Sequence, residues 1–157
     1  MIDVGATLPE ATFSTITNGD MKNPSSNDIF AGKKVVLFAV PGAFTPTCSQ
    51  AHLPGYVTLA DKMLAKGVDS IVCLSVNDAF VMDAWGKASN AENLTMLADG
   101  NGNFSKLIGL DMDTDTFGGL RSKRYSMLVE NGVVKSLNIE DPGKLEVSDA
   151  ETMLKSL

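Results

Sequence analysis

Hydrophobic residues along this chain fall into two patterns: short unbroken runs, and sets spaced as on one face of a helix. Unbroken runs rich in Val lie at 34–40 and 70–76, and a shorter apolar run lies at 94–98. Runs of this kind are typical of strands that are buried on both faces of a sheet. After Cys48 the apolar residues recur at helical spacing until Gly67, which predicts a helix between the first two strands.

The two long helices carry different boundary signals. Pro54 lies inside the first predicted helix, and we expect a kink or a short break there because proline lacks a backbone donor. Asn77 follows the second strand and has the chemistry of an N-cap for a second helix that continues to about Ser89. One face of this helix is predicted to be apolar: Phe80, Ala84 and Trp85.

Two Asn-Gly pairs mark predicted hairpins. The weak alternation at 12–17 leads into Asn18-Gly19, and the runs at 125–130 and 133–139 flank Asn131-Gly132. An Asn-Gly pair between strands favours a two-residue turn, because both residues tolerate the positive φ that the turn requires. We therefore expect a β-hairpin at each place.

The remaining segments complete the element order. The segment NPSSND (23–28) predicts a loop. The segment at 99–103 predicts another loop, which leads into a short helix at 104–108. The segment at 148–151 has the pattern of a capping box that opens the last helix. The order is a β-hairpin, then βαβαβ, then ββα. It predicts an α/β fold with a mixed central β-sheet flanked by helices on both faces, in a single domain over residues 1–157.

Composition narrows the class of protein. A length of 157 residues, with 44% hydrophobic and 20% charged residues, fits one ordinary globular domain. The net charge of −6 argues against a nucleic-acid partner, since phosphate binding needs clustered Lys and Arg. The start of the chain has no secretory signal pattern, and its longest apolar run, 35–41, is far shorter than the ~20 residues that cross a bilayer. We therefore expect a cytoplasmic protein with no membrane partner.

Cysteine and histidine are scarce. The chain has two cysteines, Cys48 and Cys73, and one histidine, His52. Two cysteines are too few for a disulfide scaffold. The three residues together fall short of the four ligands that a closed structural zinc site uses. We therefore expect neither a bound metal nor a cofactor.

Cys48 lies where an apolar strand gives way to a helix, at the end of the segment PGAFTPTC (41–48). A helix N-terminus carries a partial positive charge and free N–H groups, which favour the thiolate form of a cysteine. Thr45 supplies a nearby hydroxyl, and Pro41 stiffens the turn. These features suit a nucleophilic thiolate in a small pocket, with a buried structural cysteine as the alternative.

The same segment resembles the active-site motif P-x-x-x-T-x-x-C of peroxiredoxins. The following SQAHLPGY (49–56), together with CLSVNDAFVMDAW (73–85), is similar to the peroxiredoxin 5 or type II subfamily in particular, and SKRYSMLVENG (122–132) is similar to the family segment that bears the active-site arginine. The resemblance covers nearly the whole chain. It implies a thioredoxin-like fold and a thiol peroxidase activity.

The resemblance also implies a role for each matching residue. Cys48 would attack the peroxide O–O bond and become a sulfenic acid. Arg124 would stabilise the thiolate and the charge that develops on the departing oxygen. Thr45 would hold the thiolate and the peroxide through its hydroxyl, and Pro41 would shield the pocket.

Simpler explanations exist for several residues near the motif. Arg124 lies beside Arg121 and Lys123, so it could be a surface residue of a strand. Thr45 could cap the helix. His52 lies four residues after Cys48, on the same predicted helix face. There it fits either a structural or interface role, or a Cys–His pair for proton transfer.

Cys73 is a candidate resolving cysteine, because type II relatives have a cysteine at this place. It lies between Val72 and Leu74 in an apolar strand, as a structural cysteine would. The C-terminal cysteine of animal peroxiredoxin 5 has no counterpart in KLEVSDAETMLKSL (144–157), so the disulfide route of those proteins is not open. We expect the apolar surroundings of Cys73 to keep its thiol protonated, so that it attacks the sulfenic acid too slowly to resolve it.

The predicted function is the reduction of hydrogen peroxide and organic hydroperoxides. Glutathione with a separate glutaredoxin is the expected reductant, and thioredoxin is the second choice. A homodimer is expected to form through apolar residues near the active site, such as Phe44 and Phe80. The alternative is a non-catalytic redox sensor or interaction module on the same scaffold. A thiol-disulfide oxidoreductase is disfavoured because the chain has no C-x-x-C motif.

Overall fold

The structure, a computed structural model, describes residues 1–157 and has an α/β architecture. In chain order the strands are β1 (Thr15–Thr17), β2 (Asp20–Lys22), β3 (Lys34–Ala39), β4 (Ser70–Ser75), β5 (Thr95–Ala98), β6 (Asp111–Asp113), β7 (Leu120–Ser122), β8 (Tyr125–Glu130) and β9 (Val133–Ile139). The α-helices are α1 (Ser26–Phe30), α2 (Leu53–Ala65), α3 (Ala79–Ala88), α4 (Asn103–Leu107) and α5 (Ala150–Ser156). A π-helical turn, Cys48–His52, leads directly into α2.

Five strands form the central sheet, in the order β5-β4-β3-β8-β9. The pairs β3–β4 and β4–β5 are parallel, whereas β3–β8 and β8–β9 are antiparallel. Because successive side chains of a strand point to opposite faces, β3 contributes Val36 and Phe38 to one hydrophobic core and Val35 and Leu37 to the other. Helices α2, α3 and α5 pack on the first face, and α1 and α4 on the second. The predicted mixed sheet with helices on both faces is confirmed.

Both predicted hairpins form at their Asn-Gly pairs. Asn18 and Gly19 have φ values of 52° and 82°, and Asn131 and Gly132 have φ values of 48° and 77°. Two consecutive residues with positive φ are the mark of the type I′ turn, whose twist matches that of the flanking strands. The turns join β1 to β2 and β8 to β9.

The two predicted N-caps are each wrong by one residue. Asp78 rather than Asn77 caps α3, and Asp149 rather than Ser148 caps α5. Each capping carboxylate accepts a hydrogen bond from the backbone three residues later, as N-cap side chains do. Asn77 and Ser148 instead bind distant segments near Cys48, which short-range sequence patterns do not reveal.

The buried face of α3 also differs from the prediction. Phe80 is 68% exposed and Ala84 is exposed, whereas Trp85 is buried as expected. The other residues that α3 buries are Ala79, Met82 and Gly86. Both sets recur at helical spacing, so the sequence alone did not distinguish them.

Two short elements were not predicted. The segment 23–28, expected to be a loop, opens α1 through a capping box in which Ser25 and Asp28 each bind the other's backbone. The hairpin of β6 and β7 lies on a separate small sheet. Arg124, expected in a strand, lies in the two-residue link between β7 and β8. None of the helices combines the length and apolar composition that a membrane crossing requires.

Candidate active site around Cys48

Cys48 begins a helical turn that is wider than an α-helix. Helical backbone starts at Pro46, and the backbone N–H of Leu53 donates to the carbonyl of Cys48, five residues earlier, which is the π-helical pattern. The predicted irregularity therefore occurs, but it precedes Pro54 instead of centring on it. Proline at 54 suits the place where the hydrogen-bond pattern changes, because it has no N–H to contribute.

The guanidinium of Arg124 binds the Cys48 sulphur. Its Nη2 donates to Sγ of Cys48 at 3.0 Å, and its Nη1 lies 2.8 Å from Nδ1 of His52. Cys48 has no exposed surface. A fixed cation with a donor aimed at the sulphur stabilises negative charge strongly in a site that excludes water. The reading of Arg124 as a surface residue of a strand is therefore wrong.

His52 is buried, with 1% of its surface exposed, and both of its ring nitrogens are engaged. Nε2 lies 3.0 Å from the carbonyl oxygen of Ser148, which only accepts, so Nε2 carries the proton. Burial, and then the nearby positive charge of Arg124, lower the pKa of His52 to about 4, so the ring is neutral at pH 7. Nδ1 is left as an acceptor for Arg124. His52 thus has no free nitrogen for Cys48, and the Cys–His proton-transfer pair is absent.

Two side chains hold the loop before Cys48 by donating hydrogen bonds to its backbone carbonyls. The hydroxyl of Thr45 donates to the Gly42 carbonyl at 2.7 Å, and Arg121 Nη1 donates to the Pro41 carbonyl at 2.9 Å. The Thr45 hydroxyl therefore binds the loop, not the Cys48 sulphur, and its oxygen lone pairs remain available to accept from a peroxide O–H. The half-buried Pro41 is fixed through its carbonyl.

Two further side chains support this loop: Asn77, which was expected only as a helix cap, and Trp85, which was expected only on the apolar face of a helix. Asn77 accepts from the backbone N–H of Ala43 at 3.0 Å and from the Ser75 hydroxyl at 2.6 Å. Trp85 donates from Nε1 to the hydroxyl of Ser49 at 3.0 Å, which ties α3 to the turn that bears Cys48. Asn77 followed a buried strand, and that position was the only signal that could have marked it.

Phe44 has a backbone conformation that bulky residues rarely adopt. Its φ is 64°, in the left-handed region, and its side chain is 55% exposed. A conformation of this kind costs on the order of 1–3 kcal/mol and persists where the surrounding structure enforces it. The strain therefore lies within the loop that leads to Cys48.

Cys73 lies in the same hydrophobic core as Cys48, within strand β4. It pairs with Phe38 across the parallel strands β3 and β4, and the Phe38 ring stacks on Tyr56 with centroids 3.9 Å apart. Cys73 has no exposed surface. Burial, and then the proximity of Cys48, raise the pKa of Cys73 well above its ordinary value, so its thiol is protonated and a poor nucleophile.

Comparison with known proteins places the chain among thiol-active relatives. The sequence model of the redoxin family matches residues 3–154. The chain is 49% identical to Peroxiredoxin-2E, chloroplastic, of Arabidopsis thaliana, over 99% of its own length and 69% of the relative's. It is 46% identical to the hybrid peroxiredoxin hyPrx5 of Haemophilus influenzae, over 98% of its length and 65% of the relative's.

Solved structures show the same similarity. Reduced Prx3 of Vibrio vulnificus in complex with H₂O₂ superimposes with a TM-score of 0.97 and 62% identity, over 99% of both chains. Peroxiredoxin 5 of Alvinella pompejana superimposes with a TM-score of 0.88 and 35% identity, over 99% of this chain and 97% of that one. The arrangement around Cys48 therefore occurs in a fold that the solved Prx3 and peroxiredoxin 5 structures share.

Proposed function

This chain belongs to the redoxin family as a peroxiredoxin of the type II and peroxiredoxin 5 group, a thiol peroxidase, and from this premise we propose that Cys48 is its peroxidatic cysteine. The substrates are hydrogen peroxide and organic hydroperoxides. The reductant is glutathione with glutaredoxin. Residues 1–157 act as one catalytic domain.

The observation that carries the proposal is the 3.0 Å contact between Arg124 Nη2 and Cys48 Sγ. The guanidinium stabilises the thiolate, which forms a bond to the nearer peroxide oxygen while the O–O bond breaks. The departing oxygen leaves with the electron pair of that bond and takes up a proton as water or an alcohol, and Cys48 becomes a sulfenic acid. Arg124 is aimed at the place where this charge develops.

Thr45 and Pro41 complete the proposed pocket. Because the Thr45 hydroxyl already donates to Gly42, it meets a peroxide as an acceptor, which orients the O–H and places an oxygen against the sulphur. Pro41 shields that position from water. Thr45→Ser should keep most of the peroxide rate, whereas Thr45→Val, which has no acceptor, should lose up to roughly tenfold.

The burial and raised pKa of the second cysteine favour an external reductant over an internal disulfide. Cys73 is the only other thiol, and it is buried with a raised pKa. Glutathione would release water from the sulfenic acid and form a mixed disulfide with Cys48, which the glutaredoxin thiol then reduces. Glutathione keeps thiols reduced in the cytoplasm, which is the compartment we propose.

Reduction also requires the helix to open. Cys48 has no exposed surface, so even a small thiol reaches its sulphur only after the helical turn opens. The turn that bears it is held by the hydrogen bond from Trp85 to Ser49. Glutathione and a larger reductant therefore meet the same opening step. The protonated Cys73 favours an external thiol over an internal disulfide, and the assay below decides between the two external reductants.

The test is peroxide turnover with glutathione and glutaredoxin in one assay and thioredoxin with its reductase in another. Cys48→Ser should abolish turnover in both while the protein stays folded, because serine is nearly isosteric and no nucleophile at neutral pH. Turnover above a few per cent of the parent protein would remove Cys48 from its role. Faster turnover with thioredoxin than with glutaredoxin would overturn the proposed reductant and leave the peroxidase intact.

We propose that a second copy of the chain covers the surface beside the pocket. Phe80 on α3 is 68% exposed and Phe117, which lies against the guanidinium of Arg121, is 81% exposed. Phe44, 55% exposed, lies in the loop before Cys48, and its ring centroid is 6.4 Å from that of Trp85 on the same helix as Phe80. Exposed apolar residues near one another mark interaction surfaces.

Sedimentation equilibrium tests the dimer. Phe80→Glu should shift the protein to the monomer, because it would bury an unpaired charge in the contact. Leu107→Glu is the matched control: Leu107 is 52% exposed on α4, which packs on the other face of the sheet. A monomeric parent protein, or equal effects of the two substitutions, would contradict the proposed surface.

A further inference from the structure

Glu140 joins the C-terminal loop to the Cys48 site. Its carboxylate, only 8% exposed, accepts the backbone N–H groups of Glu146, Val147 and Ser148 at 2.7–3.0 Å, and the Ser148 hydroxyl at 2.7 Å. Burial acts to raise the pKa of Glu140, but the hydrogen bonds from Ser148, Glu146 and Val147 outweigh it and leave that pKa below its ordinary value. The group is therefore an anion at neutral pH.

The loop that this carboxylate holds has little other support. Residues 141–147 have no regular secondary structure and are nearly all exposed. Ser148, at the end of the loop, is fully buried. The position of the Ser148 peptide therefore depends on Glu140, since few apolar contacts fix an exposed loop.

The Ser148 carbonyl in turn sets the protonation of His52. It accepts from Tyr56 Oη at 2.8 Å and from His52 Nε2 at 3.0 Å, which places the imidazole proton on Nε2. Nδ1 is then the acceptor that receives Arg124 Nη1 at 2.8 Å. The other tautomer would set an N–H against the guanidinium and lose this contact.

Glu140 also reaches Arg124 through the backbone. Its N–H donates to the Arg124 carbonyl at 3.0 Å. One residue therefore fixes the main chain of Arg124 directly and the guanidinium through Ser148 and His52. Both routes end at the donor that faces Cys48.

We propose that Glu140 is a positioning residue for the Cys48 site: its carboxylate binds the N–H and hydroxyl of Ser148 and so fixes the residue whose carbonyl selects the Nε2–H tautomer of His52 and thereby aims Arg124 at the sulphur. This proposal rests on the catalytic role of Arg124 proposed above. At metal sites, groups that orient a ligating histidine contribute roughly ten- to hundredfold, and we expect an effect of about that order here.

The single histidine of the chain makes the tautomer directly measurable, since every imidazole ¹⁵N signal of the untagged protein belongs to His52. The parent protein should show the Nε2–H tautomer alone. Glu140→Ala should populate the Nδ1–H form and slow peroxide reduction roughly tenfold or more. Glu140→Asp, which withdraws the carboxylate by one carbon, should act in the same direction and serves if the alanine variant does not fold.

Asp99 offers a matched control. It is likewise buried, at 1% exposure, and its carboxylate accepts from the backbone of Phe104 and Ser105 and from the Ser105 hydroxyl, but it does not bind His52 or Ser148. Asp99→Ala should lower stability and leave the His52 tautomer unchanged. An equal change of tautomer in both variants would assign the effect to lost stability.

A double substitution separates this proposal from the one on which it rests. If the carboxylate acts through His52, Glu140→Ala should slow a His52→Phe variant much less than it slows the parent protein. A folded Glu140→Ala protein with an unchanged tautomer and an unchanged peroxide rate would overturn the proposal. If Arg124→Ala also left the rate unchanged, the catalytic role of Arg124 would fail with it; if Arg124→Ala were slow, only the role of Glu140 would fail.

Discussion

Arg124 and Cys48 are 76 positions apart in the chain, and the structure places Nη2 of one 3.0 Å from Sγ of the other. The sheet explains the meeting. Strands β3 and β8 are antiparallel neighbours, with Ala39 paired to Tyr125, so the end of β3 that leads to Cys48 lies beside the start of β8, next to Arg124. The contact is therefore a consequence of strand order and not of local sequence.

Arg124→Ala should slow peroxide reduction by roughly a hundred- to thousandfold, because loss of one aimed donor typically costs about 2.7–4 kcal/mol of barrier. Arg124→Lys is the informative companion. It keeps the charge, but a single ammonium cannot reproduce the planar fork that binds both Sγ and His52. A lysine variant with the full rate would show that charge alone suffices.

His52 should make the folded protein sensitive to mild acid. The pKa of His52 is about 4 in the folded protein, against an ordinary 6.5. Between pH 6.5 and 4 the imidazole is therefore protonated in the unfolded chain but neutral in the folded protein. Stability is therefore full above pH 6.5 and falls as the pH drops toward 4, by about 2 kcal/mol between pH 7 and 5 at 1.36 kcal/mol per pH unit.

Urea unfolding of the parent protein and of His52→Phe at pH 7 and 5 measures this dependence. The phenylalanine variant should have a flatter profile over that interval. The charged groups that act on His52 are Arg124, Glu140 and Asp149; both proteins contain all three, so the difference between the two profiles reports His52. Parallel profiles for the two proteins would contradict the low pKa of His52.

Gly42→Ala should disturb the wall of the pocket. A Cβ at this position would overlap the guanidinium of Arg121, which donates to the Pro41 carbonyl at 2.9 Å. The guanidinium should swing away and lose that hydrogen bond, so we expect the free energy of unfolding to fall by about 0.5–1.5 kcal/mol, the net value of one hydrogen bond, and peroxide reduction to slow. Gly55→Ala is the control, because its Cβ meets only Ala150 at an ordinary 3.6 Å in a helix that favours alanine; it should be neutral or stabilising.

Much of the fold was predictable because its signals are local. Val-rich runs gave β3 and β4, Asn-Gly pairs gave both hairpins, and helical spacing gave α2. The capping box at Ser25 and Asp28 was also readable, but the Pro and Ser residues around it favoured a loop. Signals of this kind reach only a few residues along the chain.

The candidate site was predictable only in part. The position of Cys48 followed from a strand-to-helix transition, but the role of Arg124 came from resemblance to a family. The support given by Glu140 had no signal and that of Asn77 had only its place after a buried strand, since each binds a segment that the fold brings near. Contacts of this type depend on tertiary structure, which periodicity and capping rules do not encode.

Cys73→Ser should keep most of its turnover with glutathione and glutaredoxin. The thiol is buried and its pKa is raised, so it is protonated at neutral pH and attacks slowly. A Cys48–Cys73 disulfide would also require both cysteines to leave the packing that buries them, whereas the external route opens only the turn at Cys48. Mass spectrometry of peroxide-treated protein should therefore show the sulfenic acid of Cys48, trapped by a dimedone probe, or its further oxidised forms, and little internal disulfide. A quantitative Cys48–Cys73 bond that forms as fast as the sulfenic acid, with turnover lost in Cys73→Ser, would make Cys73 the resolving residue.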